Sequence, residues 1–272
     1  MALTTLSFMS SFLRSNQTIS VILPDLPLGA DAREFYSSGK RYRVLWLLHG
    51  TFGDHTDWVR RTNIETYATE VQTVVVMPSA LNSNYSNWPD FSLGYDANRY
   101  LVDELLPLVH GWFPVSAARE DNAIAGLSMG ARGTMKFVAN NPELFGRAAV
   151  FSAAPRELDA LDEHEVRAST DPFVQRLAGM ADNVGGWQAF IDGDENVWRI
   201  FDERRDELPP ILFSTGGADE LIRGDLARYR EHAAATGLPM RFEEIPGLGH
   251  EWRFWDEAIR RAMPFLSGQT DD

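Results

Sequence analysis

Residues Ala123 to Gly130 read Ala-Ile-Ala-Gly-Leu-Ser-Met-Gly, so Ser128 stands in a Gly-x-Ser-x-Gly frame directly after an apolar run and directly before a helix-forming stretch. A strand that stops at so sharp a turn and runs at once into a helix leaves a serine hydroxyl at the top of a sheet, within reach of a base and a substrate together. Gly126 and Gly130 are small because neighbouring backbone comes close at the strained turn. The helix start adds free N–H groups near the point where an oxyanion would develop. The pentapeptide alone also describes a glycine–serine turn; its strand–turn–helix setting makes it a nucleophile elbow.

Around this turn the chain supplies the sheet that an elbow needs. Buried-strand runs at 43–48, 73–77, 122–127, 148–152, 211–214 and 241–245 alternate with helical patterns at 98–111, 129–140, 222–236 and 252–266. Several of the strands are continuous Val/Ile/Leu/Ala runs, the pattern of parallel strands covered on both faces. Pro107 inside the first helical pattern predicts a kink or a division there. Thr18 to Leu23 alternates as a half-buried strand should, and residues 4–23 read as a strand pair. The whole predicts one α/β domain over 1–272, a doubly wound and mainly parallel sheet with active groups at the carboxyl ends of its strands. The stretch between the strands near 150 and 211 is too long for a simple connection. Residues 155–208 are acidic and locally helical in pattern, and they read as a small cap inserted over the strand ends.

An activated serine needs a base, and the base needs an acid to hold its tautomer. In the α/β-hydrolase arrangement these follow the serine in the order acid, then histidine, each on a loop after a strand. After 211–214 comes Thr215-Gly216-Gly217-Ala218-Asp219-Glu220, and after 241–245 comes Pro246-Gly247-Leu248-Gly249-His250-Glu251-Trp252. His250 is the one histidine of six that follows the last strand, and Asp219 is the preferred acid with Glu220 its nearest competitor. Two amides would hold the oxyanion. One is the Met129 N–H, next to the nucleophile, and the other the Thr51 N–H in the turn His49-Gly50-Thr51-Phe52-Gly53. His49 reads as a residue that orders this turn by hydrogen bonding.

Composition narrows the remaining choices. With 272 residues, 44% of them hydrophobic, there is ample material for one large core, and no apolar run approaches the roughly 18 residues of a membrane span. A formal net charge of −14 speaks against nucleic acid and anionic membranes as partners. The absence of cysteine excludes disulfides, thiol catalysis and cysteine metal sites. No basic residue precedes Arg14, so the apolar opening lacks the charged region of an export signal and the expected location is cytoplasmic. Asp192-Gly-Asp194-Glu-Asn196 with Glu203 superficially tracks a calcium loop, but Val197 stands where that loop needs glycine. An acidic turn capping the following helix is the better reading, and neither metal nor cofactor is expected.

Taken together, Leu47-Leu48-His49-Gly50 with Gly53 and Trp58, the Gly-Leu-Ser-Met-Gly elbow, Asn141-Pro142-Glu143-Leu144-Phe145, and Gly249-His250-Glu251-Trp252 with Phe254-Trp255 resemble the esterase D family, especially its tributyrin-esterase-like members. The resemblance implies carboxylic ester hydrolysis, relatives acting on short-chain acyl esters, acetylated or feruloylated carbohydrates, or S-formylglutathione. It puts Ser128, Asp219 and His250 on the family's catalytic positions and Thr51 with Met129 on its oxyanion positions. Two departures stand out: Ala131 and Arg132 follow the elbow where relatives often have a second glycine, and Thr51 replaces a more usual Gly, Leu or Ile.

The expectation is therefore a serine carboxylesterase for short-chain acyl esters working through an acyl-enzyme, with a thioesterase such as S-formylglutathione hydrolase as the alternative and a non-catalytic hydrolase-fold binding protein as the second. Phe52, Trp58, Trp88 and Trp252 are the candidate pocket residues; with Tyr85 and Phe91 they equally suit core or cap packing. The expected partner is a small-molecule ester, and an exposed aromatic patch on the insertion would support a homo-oligomer.

Overall fold

The computed structural model describes residues 2–270. Among the described residues ten strands are present: β1 (Ala2–Ser10), β2 (Ser15–Leu23), β3 (Val44–Leu48), β4 (Val74–Met77), β5 (Asn87–Trp88), β6 (Tyr95–Asp96), β7 (Asn122–Leu127), β8 (Arg147–Phe151), β9 (Ile211–Gly216) and β10 (Met240–Ile245). Eight of them form one sheet in the order β1-β2-β4-β3-β7-β8-β9-β10, while β5 and β6 make a separate two-stranded ribbon. In the large sheet the first two strands are an antiparallel hairpin, β2 meets β4 antiparallel, and the pairings β4-β3, β3-β7, β7-β8, β8-β9 and β9-β10 are parallel.

The continuous apolar runs explain where the parallel strands lie. Every residue of β3, β4 and β7 is buried, because helices cover both faces. Side chains of one strand alternate between two cores: Val44, Trp46 and Leu48 pack into one, Leu45 and Leu47 into the other. The first core takes residues from the helices Met129–Asn140 and Arg223–Thr236. The second takes the apolar face of the C-terminal helix Trp252–Leu266 together with Trp58, Ile64 and Ala68.

Pro107 does not break its helix. The chain stays helical from Ala97 to Trp112, and the turn Tyr100–Leu105 widens so that the Leu106 N–H reaches back five residues to the Leu101 carbonyl. A proline ring collides with the carbonyl four residues earlier in a regular helix, and a widened turn just before it relieves that contact. Other boundaries shift slightly. Strand β9 runs on to Gly216, and β8 ends at Phe151, which leaves Ser152 just past the strand with φ +55°. The short helices Ala32–Ser37, Asp57–Arg61 and Ile64–Glu70 and the β5–β6 ribbon have too few residues for a readable period.

Residues 155–208 fold as short helices, Glu163–Ala168, Pro172–Asn183, Trp187–Asp192 and Val197–Glu203. They have their own small apolar cluster around Leu158, Val166, Leu177, Met180 and Phe190. Asp162, Asp171 and Asn196 cap three of these helices with side-chain oxygens, which is how an acidic stretch sustains short helices. Among the described residues no helix is long and apolar enough to cross a membrane.

Candidate active site

The strained turn sits where β7 meets its helix. Ser128 adopts φ +51° and ψ −109°, and its N–H is held by the Phe151 carbonyl of the neighbouring strand at 2.9 Å. Its two glycines have no alternative: a Cβ on Gly126 would lie 2.5 Å from the Gly130 backbone, and one on Gly130 would lie 2.5 Å from the His49 carbonyl oxygen and 2.6 Å from that of Leu48. The contacts are backbone on backbone, so no side chain can swing aside. Gly130→Ala is accordingly expected to destabilise by about 3 kcal/mol, at the upper end of overpacking costs, with the loss read as a lowered urea midpoint at unchanged slope.

Two glycine-rich loops bring the acid and the histidine to this turn. The loops after β9 and β10 are locked together, Gly217 N–H to Ile245 carbonyl at 2.9 Å and Ala218 N–H to Leu248 carbonyl at 2.8 Å. A side chain on Gly216 would collide with the Leu248 carbonyl, so the close approach itself demands the glycine. From these loops His250 Nδ1 meets Asp219 Oδ2 at 2.9 Å, and His250 Nε2 meets Ser128 Oγ at 3.0 Å. The carboxylate can only accept, so Nδ1–H donates to it; that leaves Nε2 unprotonated and facing the serine O–H.

Asp219 is the acid that reaches the histidine, its side chain fully buried. Glu220 points to solvent and pairs with Arg223 at 3.1 Å. Burial favours a neutral Asp219, but hydrogen bonds from His250, Ser152 and the Leu221 amide outweigh it and hold the pKa below the ordinary carboxylate value. Ser152 also accepts from the Trp255 indole N–H at 3.2 Å, and Trp255 stands edge-on to the His250 ring, 5.2 Å between centroids. Ser152 escaped the sequence reading because it looks like the last residue of a buried strand; its left-handed φ, which turns the hydroxyl toward the acid, leaves no signal in the sequence.

Thr51 and Met129 line the same cavity as Ser128, and neither backbone N–H has an acceptor among the described residues. His49 holds the first of these turns. Its Nδ1–H donates to the Gly50 carbonyl at 2.7 Å and its Nε2 accepts the Ala80 N–H at 2.9 Å. Burial lowers its pKa, so the ring stays neutral and can keep both bonds.

The four candidate pocket aromatics separate. Phe52, 86% exposed, and Trp252 line the cavity of about 430 Å³ that contains Ser128 and His250. Trp58 does not: it is 1% exposed, donates its indole N–H to the Leu48 carbonyl, and packs edge-on against Phe151 and Trp252. It supports the wall from behind. Trp88 lies instead in an adjoining hollow of about 520 Å³ with Phe52, Leu81, Phe91 and Tyr95. Tyr85 is core, its ring pressed on Gly133.

A mainly parallel eight-stranded sheet with a serine elbow, an acid and a histidine at successive strand ends defines an α/β-hydrolase. The family model for the Esterase family matches residues 10–266, and the chain belongs to that family. It is 26% identical to the acetyl esterase of Caldicellulosiruptor saccharolyticus over the full length of both proteins. Among solved structures it is similar to the fluorophosphonate-binding serine hydrolase FphF of Staphylococcus aureus, with a TM-score of 0.80, 26% identity and 98% of each chain covered. It is also similar to the S-formylglutathione hydrolase FrmB of the same organism, with a TM-score of 0.78, 28% identity and 98% of each chain covered. The protein is a serine carboxylesterase of the esterase D type.

Proposed function

We propose that this esterase hydrolyses short-chain acyl esters with Ser128 as nucleophile, His250 as general base and then acid, and Asp219 as the group that orients and stabilises the imidazolium. The observation that carries the reading is the unbroken hydrogen-bonded line from Asp219 through His250 to Ser128. Ser128 Oγ attacks the acyl carbon while its proton passes to His250 Nε2. The Thr51 and Met129 amides receive the oxyanion, the imidazolium gives its proton to the departing alkoxide, and water attacks the acyl-enzyme by the same route in reverse. A loss of one such donor elsewhere costs about 2.7–4 kcal/mol, which sets the scale for each amide.

A cap role for 155–208 belongs to this reading, supported by Arg156, Phe173 and Arg176, which line the cavity that contains Ser128. So do a cytoplasmic location and self-association through the half-exposed Phe173, to be checked by cell fractionation and by light scattering. A small acyl pocket predicts that p-nitrophenyl acetate and butyrate turn over with kcat/KM at least about tenfold above the octanoate, since each methylene that fails to fit costs about 1–3 kcal/mol. Faster hydrolysis of the octanoate would refute the short-chain assignment. Likeness to FrmB keeps a thioester in view, because the same groups would cleave one. Turnover of S-formylglutathione well above that of p-nitrophenyl acetate would favour it.

A further inference from the structure

The cavity that contains Ser128 is lined by Arg132, Arg156 and Arg176 in a chain that carries 39 acidic residues against 25 basic ones. Arg132 stands one helical turn beyond Ser128 on the same helix, Arg156 four residues beyond Ser152, and Arg176 on the helix Pro172–Asn183 of the insertion. Three separate segments thus each contribute an arginine to the lining of one cavity, close enough that Arg156 and Arg176 both repel Arg132. None of the three has an ion-pair or hydrogen-bond partner among the described residues, and Arg176 Nε is buried with no acceptor. Its guanidinium lies over the ring of its own helix's Phe173, 5.9 Å from the ring centre.

Nearby acids are already engaged. Asp171 lines the same cavity but spends its carboxylate on the Phe173 N–H at the start of its helix, at 2.8 Å. Glu195 is bound to Lys136 at 3.0 Å. The remaining arginine of the cavity, Arg61, pairs with Asp57 at 3.4 Å. Burial and then the repulsion of Arg156 and Arg176 push Arg132 down to about 9, so the arrangement opposes its own charge. A fold with a surplus of carboxylates could have neutralised this wall and did not.

Resting on the reading of Ser128 as nucleophile, we infer that Arg132, Arg156 and Arg176 form an anion-binding subsite, and that the preferred esters carry a carboxylate or phosphate on the acyl or the alcohol portion. Guanidinium groups suit this task because their planar forks meet such oxyanions with two parallel N–H bonds. Arg132, which follows Ala131 after the elbow, then acts as a specificity determinant, because it lines the same cavity as the reacting serine one helical turn away.

The test compares kcat/KM for two matched pairs, each rate divided by the ester's own alkaline hydrolysis rate. The mono-p-nitrophenyl ester of adipic acid against its methyl ester places the charge on the acyl side. 4-Acetoxybenzoate against methyl 4-acetoxybenzoate places it on the alcohol side. The expected result is a preference of about tenfold or more for the anion in at least one pair, the scale of one charge-assisted hydrogen bond, shrinking as sodium chloride is added. That ratio should fall toward one in Arg156→Gln/Arg176→Gln, remain in large part in Arg176→Lys, and stay put in Arg260→Gln, whose side chain pairs with Glu257 on the surface. Fluorophosphonate labelling of Ser128 in each variant shows that the elbow is intact. Equal or greater turnover of the neutral ester in both pairs, or a preference that survives the double substitution, overturns the subsite alone. No Ser128-dependent hydrolysis of any of the four esters overturns the nucleophile assignment instead, and the subsite with it.

Discussion

Ser128→Ala is expected to lower kcat for p-nitrophenyl butyrate on the order of 10⁶-fold and to leave melting behaviour nearly unchanged. The magnitude follows from the cooperation of the three groups: removal of the nucleophile of such a unit leaves only binding and the oxyanion amides. The near-constant stability follows from backbone geometry. Alanine keeps a Cβ at φ +51°, so it bears the same strain as serine and relieves none of it. Ser128→Gly separates the two effects. Glycine enters this region freely, and release of about 1–3 kcal/mol of strain exceeds the roughly 0.5–1 kcal/mol that it costs in chain entropy. The glycine variant should therefore be equally inactive yet more stable than the wild type. Single-turnover assays on enzyme counted by active-site labelling check the rate, and urea titration checks the stability. An alanine variant within about tenfold of wild type would place the nucleophile on another residue.

The parts of this site that were legible in the sequence are those where backbone must come close. Gly126, Gly130 and Gly216 each mark a place where a Cβ would meet main chain, and the first two mark the elbow in the sequence itself. The continuous runs of β3, β4 and β7 likewise announced strands covered on both faces. Side-chain direction was not legible. Trp58 and Trp252 occupy equivalent-looking loop positions after strands, yet one indole turns inward to the Leu48 carbonyl and the other stands in the cavity wall. Nothing in a one-dimensional pattern separates them, since both are aromatic residues near the start of helices. Ser152 and the convergence of Arg132 with Arg156 and Arg176 were missed for a related reason. Their meaning arises only when residues far apart in the chain converge, as Ser128 and Arg176 do through the insertion.

The pair Ala131-Arg132 after the elbow ties the fold to the chemistry. Gly130 has to be small for the helix to pack under the His49 turn, and Gly130 and Ala131 are both buried. The next position faces the cavity and is free of that constraint, so it can carry a charge without disturbing the elbow. The nucleophile helix therefore divides its first turn between packing residues and a residue available to the substrate.

Asp219→Asn should lower kcat about 10⁴-fold without moving the backbone, because it inverts the histidine tautomer. In the wild type the buried carboxylate accepts from both the Leu221 amide and His250 Nδ1–H. An asparagine oxygen can satisfy the Leu221 amide, but its NH₂ then faces Nδ1 and requires that nitrogen to accept. The proton moves to Nε2, which now points a donor at Ser128 and cannot take its proton. Stability carries a second signature. The Asp219 pKa is lowered in the folded state, so its contribution is fully present above the unfolded value near 3.9 and is lost as pH falls through the lower folded value. The gap in unfolding free energy between wild type and variant should therefore be widest above about pH 5 and should narrow on acidification toward pH 3, as read by urea titration across that range. A variant that keeps wild-type kcat would remove Asp219 from the triad. Glu220 could not inherit the role without unwinding the turn, because it faces solvent on the far side of the same loop, held to Arg223.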